Sequence, residues 1–286
     1  MRILDAEATR TALPMTDAID AMEVAFGPDK EIPHRQLLGS SFFMPARVGR
    51  ISGIKVVGIV PGKPIGIVTV FDELGAPIGS VDGPTLTAIR TGAAAGLATR
   101  ILARPDVSRF ALLGAGAMGF DQVAAIRSVR DVTTISIWNR DRSKAEALAD
   151  RVGGVVAASA DEAVTGADVV TTVTPSTQPL FSGSSLATDV HINAVGAFTP
   201  EMIEVPNDVV RSAFRVVDDT SAARAEAGDL LQAGVEPDAE LGEILTSFVR
   251  PAGITLFKSV GIASQDVAAA SRALENAERM DLGTVV

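Results

Sequence analysis

Apolar side chains between residues 14 and 26 recur at Met15, Ile19, Met22 and Phe26, three and four positions apart, which predicts an amphipathic helix with Thr16 or Asp17 placed to cap it. From 51 to 81 the period changes to short β-branched runs, 54–60, 65–71 and 78–81, parted by Pro-Gly, Glu-Leu-Gly and Gly-Pro turn signals. These read as an antiparallel meander. Residues 85–102 return to helix, and the small residues Ala88, Gly92, Ala95, Gly96 and Ala98 let another backbone or a ligand approach closely. Beyond Phe110 the chain alternates apolar runs (110–113, 134–138, 168–173, 191–195, 214–217) with helical patterns. Buried continuous strands alternating with helices imply an α/β, doubly wound parallel sheet. A last helix is expected over 266–280, from Val267, Ala270, Leu274 and Ala277.

Composition narrows the class. A chain of 286 residues is two domains' worth, and 47% hydrophobic with 21% charged side chains is globular composition with ample core. The formal charge of −10 would repel a phosphate backbone, and no basic patch interleaved with aromatics offsets it, so nucleic acid is not an expected partner. Without cysteine there is no disulfide, thiolate metal site or thiol nucleophile, and two histidines cannot build a three-His site. Asp218-Asp219 lacks further ligands at matching spacing and reads as a solvated loop, so no metal is expected. Early charges in the N-terminal residues argue against a signal peptide, and no apolar run reaches the length of a membrane span, so the expectation is a cytoplasmic protein.

The segment Phe110-Ala-Leu-Leu-Gly-Ala-Gly-Ala-Met-Gly119 is a strand running into Gly114, Gly116 and Gly119 and then a helical 121–129, the context a dinucleotide fingerprint requires. Gly114 permits the tight turn, Gly116 lets a pyrophosphate reach the backbone, and the helix start at Ala117, Met118 and Gly119 offers amide donors. The next strand ends in Asn139-Arg140-Asp141-Arg142. Asn139 can hydrogen-bond ribose or phosphate, and Arg140 and Arg142 stand where a 2′-phosphate would lie, favouring NADP(H) over NAD(H). Asp141 argues instead for a solvated basic turn. Thr174, in Val173-Thr-Pro-Ser176 at a strand's C-terminal end, is a further candidate cofactor contact. His191 begins a strand and reads as structural, whereas His34 adjoins Arg35.

Several separate segments in order carry a resemblance: Ile32-Pro-His-Arg35, Phe43-Met-Pro45, Gly53-Ile-Lys55, Leu86-Thr-Ala-Ile-Arg-Thr-Gly-Ala93, the glycine motif, Trp138-Asn-Arg140, Ile192-Asn-Ala-Val-Gly196 with Pro200 and Glu204, Glu226-Ala-Gly-Asp229, and Leu256-Phe-Lys-Ser-Val-Gly261. Together they resemble the ornithine cyclodeaminase and mu-crystallin family over nearly the whole chain. The resemblance implies a Rossmann domain (105–257) beside a discontinuous α+β substrate-binding and dimerisation domain (1–104 with 258–286), in a homodimer. It implies that Arg35, Lys55 and Arg90 surround a substrate carboxylate, and it extends the cofactor contacts to Thr91, Val195, Gly196, Ser259, Val260 and Gly261. Lys55 also stands out without the family, since a lysine inside an apolar strand needs a partner or a ligand. Beside Arg35 and Arg90 its pKa should be lowered, suiting it to supply a proton.

One departure from the family pattern is informative. Cyclodeaminases of this family carry an aspartate after the Val-Gly-x step, where this chain reads Val195-Gly-Ala-Phe198-Thr-Pro200. Phe198 cannot accept a proton or hydrogen-bond an amine. The expectation moves to NADPH-dependent reduction of a cyclic or linear ketimine, such as Δ1-pyrroline-2-carboxylate or Δ1-piperideine-2-carboxylate. Met44, Phe198 and Thr199 are candidates for the substrate lining. The alternatives are a cyclodeaminase-type lyase, an alanine dehydrogenase-like reductive amination, and a non-catalytic, NADPH-binding mu-crystallin-like protein.

Overall fold

A computed structural model gives the fold and describes residues 1–58 and 65–286. The chain splits into two compact units, Met1–Ala94 with Ile262–Val286, and Ala95–Gly261. The chain begins with β1 (Arg2–Leu4), α1 (Ala6–Ala12) and α2 (Met15–Phe26), followed by β2 (Lys30–Glu31) and β3 (Gln36–Leu38). Four longer strands come next, β4 (Ser41–Val48), β5 (Ile51–Gly58), β6 (Ile65–Phe71) and β7 (Pro77–Asp82), and then the helix α3 (Gly83–Leu102). β5, β6 and β7 pair antiparallel, as the meander predicts. The expected turn at Pro61-Gly62 and the end of the 54–60 run lie outside the described residues.

Helix α2 corrects one expectation. Its N-cap is Pro14, with no side-chain cap bond, and neither Thr16 nor Asp17 caps it. Proline has no N–H to lose at a helix start. Asp17 instead accepts a hydrogen bond from Asn276 at 2.7 Å. Strand β4 went unread because it contains a proline. Pro45 falls between the stretch that pairs with β3 (Phe43 and earlier) and the stretch that pairs with β2 (Arg47 onward), where a missing donor is tolerated.

The second unit carries β8 (Arg109–Leu113), α4 (Gly119–Val129), β9 (Thr134–Trp138), α5 (Arg142–Val152), β10 (Val155–Val156), α6 (Ala160–Val164), β11 (Val169–Thr172) and β12 (His191–Ala194). It continues through α7 (Asn207–Ser212), β13 (Phe214–Val217), α8 (Thr220–Glu226), α9 (Gly228–Ala233), β14 (Ala239–Glu240) and β15 (Thr255–Lys258). All pairs are parallel, in the order β10-β9-β8-β11-β12-β15-β13-β14. The first five places are the Rossmann order, and the chain reverses direction across the sheet between β8 and β11, the switch point where such sheets bind ligands. The five runs read from sequence all form strands here. β15 was not among them, although it sits between β12 and β13.

His191 is buried in β12, between Thr255 Oγ1 and Asn193 Oδ1, each 3.0 Å away. Burial pushes its pKa down to about 3, so it is neutral in the fold at any physiological pH. The unfolded chain protonates it below about pH 6.5. Its contribution to stability is therefore complete above that value and is lost progressively as the pH falls towards 3, by at most about 1.4 kcal/mol per unit. Urea unfolding at pH 7, 6 and 5 should show a steeper loss in the wild type than in His191→Asn, which has no ring to protonate. Equal slopes would refute this role.

The chain returns to the first unit with α10 (Ala263–Met280) and β16 (Thr284–Val285). α10 packs on α2 and lies across β4 to β7, and alternate strand residues point at it. Gly53 and Lys55 share that face, since a Cβ on Gly53 would come 2.9 Å from Val267. The other face of the sheet leaves Ile65 and Ile67 45% and 44% exposed. Among the described residues no helix is long and apolar enough to cross a membrane.

Candidate active site

In the first unit the sequence places a lysine on the buried face of β5 and an arginine on α3, and both converge on one carboxylate from α10. Lys55 Nζ donates to Thr87 Oγ1 at 2.8 Å and to Asp266 Oδ1 at 3.1 Å. Arg90 Nε donates to the same Oδ1 at 3.1 Å, and its Nη1 donates to Gln265 Oε1 at 2.6 Å. Lys55, Arg90, Gln265 and Asp266 are buried, with Lys55 4% and Arg90 7% exposed, and Thr87 is half-buried. Two cations around one anion leave a net positive charge in a dry setting, the electrostatics that favour an anionic ligand.

Burial, against the opposing pull of Asp266 and with the charges of Arg90 and then Arg35, lowers the Lys55 pKa to about 8. The direction is the one expected from sequence. Its main cause is desolvation rather than the neighbouring arginines. Arg35 is half-buried, with its guanidinium 5.4 Å from the centre of the Phe42 ring. Met44 is buried and lies opposite Lys55 in the β4–β5 ladder, while Thr91 is buried on α3 next to Arg90. His34 is exposed. Sequence reading missed Asp266, Gln265 and Thr87. The available signal was a carboxylate on the buried stripe of an alanine-rich helix, where a charge needs a partner.

In the second unit the loops after β8, β11, β12 and β15 gather at the C-terminal edge of the sheet. Gly114 has φ +119°, and a Cβ there would come 2.6 Å from the Val173 carbonyl, so the turn requires glycine. At Gly116 a Cβ would meet nothing within 4 Å, leaving its backbone open to a ligand. α4 then starts at Gly119, whose N donates to the Gly116 carbonyl at 3.0 Å, and no side chain of Met118 caps it, so the positive end of the helix faces the turn. These features fit a dinucleotide. Asn139 braces the glycine turn: its Oδ1 accepts from Ala115 N at 3.1 Å and its Nδ2 donates to Asp141 O at 2.9 Å. Asp141 caps α5 through Ser143. Arg142 pairs with Glu146 at 2.8 Å, and Arg140 is exposed.

Buried carboxylates hold the remaining loops. Glu204 Oε1 accepts from Thr174 N at 2.6 Å and Thr174 Oγ1 at 2.9 Å, while Oε2 accepts from Gly196 N at 2.8 Å and Ala197 N at 3.0 Å. Thr174 therefore spends its hydroxyl on the protein. Burial raises the Glu204 pKa against the pull of Lys258, whose Nζ lies 2.9 Å from Asp229 Oδ2 and donates to the Ala197 carbonyl. Asp229 in turn accepts from the backbone of Glu204 and Val205 at 2.7 and 2.9 Å. Asp218, read from sequence as part of a solvated loop, is fully buried because its Oδ2 accepts from Ser259 Oγ, Val260 N and Gly261 N at 2.8, 2.9 and 2.7 Å. Among the described residues no three metal-ligating side chains cluster. Val195 is buried, Thr199 half-buried, and Phe198 47% exposed on the loop after β12.

Known proteins share this architecture. A mouse ketimine reductase mu-crystallin is 37% identical across 74% of this chain and 69% of its own length. A Δ1-pyrroline-2-carboxylate reductase from Thermococcus litoralis, solved with NADH and L-proline, superposes with a TM-score of 0.92 at 28% identity and covers both chains completely. An archaeal alanine dehydrogenase dimer with bound NAD gives a TM-score of 0.93 at 27% identity, covering 100% of this chain and 98% of that one. The model of the ornithine cyclodeaminase/mu-crystallin family matches residues 17–281. With a glycine turn at the switch point of one unit and a buried lysine and arginine on one carboxylate in the other, the chain belongs to the ornithine cyclodeaminase/mu-crystallin family.

Proposed function

We propose that the protein is an NADPH-dependent reductase of an α-imino carboxylate, a cyclic or linear ketimine, yielding the corresponding amino acid. The observation that carries the reading is the Lys55–Asp266–Arg90 cluster, two buried cations on a single buried anion. Arg90, with Arg35, binds the substrate carboxylate, which fixes the neighbouring C=N carbon. A bound reduced nicotinamide supplies the hydride to that carbon. Lys55, as an ammonium, gives a proton to the imine nitrogen, so the C=N bond becomes CH–NH and the lysine is left neutral until solvent reprotonates it. In the second unit Gly114, Gly116, Ala117, Met118, Gly119, Val195, Gly196 and the 259–261 turn form the dinucleotide seat, with Asn139 and Thr174 shaping it from behind. In the first unit Met44, opposite Lys55, lines the substrate.

Reduction is favoured over cyclodeamination because Phe198 offers no acceptor for a substrate amine. The preference for NADPH rests on Arg140 alone among the two arginines, since Arg142 already pairs with Glu146. The open sheet face with Ile65 and Ile67 supports a homodimer, the state of the alanine dehydrogenase relative.

The test is oxidation of NADPH and NADH with Δ1-pyrroline-2-carboxylate, Δ1-piperideine-2-carboxylate and pyruvate plus methylamine, alongside ammonia release from L-ornithine with NAD. Turnover with an imine and no ammonia is expected, at twice the 29.5 kDa chain mass by light scattering. Arg140→Ala should reduce the NADPH preference about tenfold, the worth of one exposed charge-assisted contact. Ammonia release from ornithine would overturn the reading.

A further inference from the structure

We propose that Asp266 is a positioning residue that ties Lys55 and Arg90 to a single oxygen, keeping the lysine an ammonium and the guanidinium aimed, while Gln265 completes the Arg90 clamp. The proposal rests on the reductase reading for its chemistry and on geometry for its existence. Both cations donate to Asp266 Oδ1 at 3.1 Å, so neither can shift without disturbing the other. Gln265, the residue before it on α10, accepts from Arg90 Nη1. One turn of helix thus sets the spacing between a carboxylate-binding group and a proton-bearing group that sit on two different elements.

Folding alone does not account for this arrangement. Asp266 is completely buried, and its Oδ2 and the Gln265 Nε2 have no partner among the described residues. A carboxylate held this way costs stability that an apolar residue on the same stripe would not. Its return lies in charge control. The groups facing Lys55 are Asp266 from α10, Arg90 and Thr87 from α3, and Arg35 ahead of β3. Asp266 is the only anion among them, and it favours the charged lysine against burial and both arginines. Without it Lys55 would lose its proton at a lower pH and enter the reaction with none to give.

The test uses the full chain labelled with 13Cε,15Nζ-lysine, which contains only five lysines, with Lys55→Arg to assign the Lys55 signal. In the wild type Lys55 should titrate near pH 8. In Asp266→Asn, which keeps the shape and removes the charge, its proton affinity should fall at least tenfold, and in Asp266→Glu it should stay within about threefold. The alkaline fall in kcat/KM should move down by the same interval in Asp266→Asn. Gln265→Met should leave the Lys55 titration in place and raise KM for the imino acid at least fivefold with little change in kcat. An unmoved Lys55 signal in Asp266→Asn overturns the proposal, and so does an unchanged KM in Gln265→Met. Should Asp266→Asn fail to fold, the Gln265→Met result and a retained Lys55 titration in Asp266→Glu decide. The titration needs no turnover, so a protein inactive towards imines with a shifted Lys55 would sink the reductase reading and leave this one standing.

Discussion

Lys55→Met should lower kcat/KM for an α-imino carboxylate by about 10²–10⁴-fold, the usual worth of a positioned proton donor, while leaving the fold intact. Methionine has nearly the length of lysine and suits a site that is 4% exposed. Its substitution leaves Asp266 paired with Arg90, one cation to one anion, so no charge is orphaned by the change. The melting temperature should stay within about 4 °C of the wild type, an allowance of about 1 kcal/mol for a chain of this size. Thermal unfolding and steady-state kinetics on the same preparation check both halves. Activity within threefold of wild type would remove Lys55 from the chemistry, and a collapsed melting temperature would make it a structural residue.

Glu204→Ala should have the largest effect on stability. Its carboxylate satisfies Thr174, Gly196 and Ala197, all on loops that Gly196 brings within touching distance, since a Cβ there would come 2.1 Å from Thr174 N. No side chain of alanine's size can reach these donors. Truncation leaves them buried without an acceptor and leaves the Lys258–Asp229 pair without its neighbouring charge. Breaking such a network costs about 3–5 kcal/mol, roughly a 10 °C drop in melting temperature. NADPH affinity, followed by the cofactor's fluorescence, should fall at least tenfold because the loops after β11 and β12 lose their common anchor. A drop of less than 2 °C with unchanged affinity would show that the loops hold themselves.

The glycine turn and its strand–helix setting were legible because backbone sterics write them directly into residue type: Gly114 can be nothing else at φ +119°. The antiparallel meander was legible from its β-branched runs, and the five parallel strands from short apolar runs alternating with helical patterns. Strand β15 was not, since Lys258 ends it after three residues and the lysine's partner Asp229 comes from a helix elsewhere in the chain. Lys55 could be flagged alone as a charge out of place. That it answers to Asp266, 211 residues away, is a tertiary fact with no local signature. Asn139 and Thr174 were found as positions, but the bonds by which they brace the loops were not, because their partners Ala115 and Glu204 are brought to them by the fold.

The first unit is assembled from chain segments synthesised far apart in time. Its strands β1 to β7 are complete in sequence by Asp82, yet the helix that covers Gly53, Lys55 and Val68 begins only at Ala263, and the edge strand β16 follows it. At ribosomal speeds of about 5–20 residues per second, the intervening segment takes roughly ten to thirty seconds to appear. Throughout that interval the nascent meander exposes both faces, and the buried lysine of β5 has no carboxylate to meet. The Rossmann unit, contiguous from Ala95 to Gly261, can fold during the wait. Expression at lower temperature, or with a holdase chaperone, should therefore raise the yield of folded protein more than any change to the second unit would.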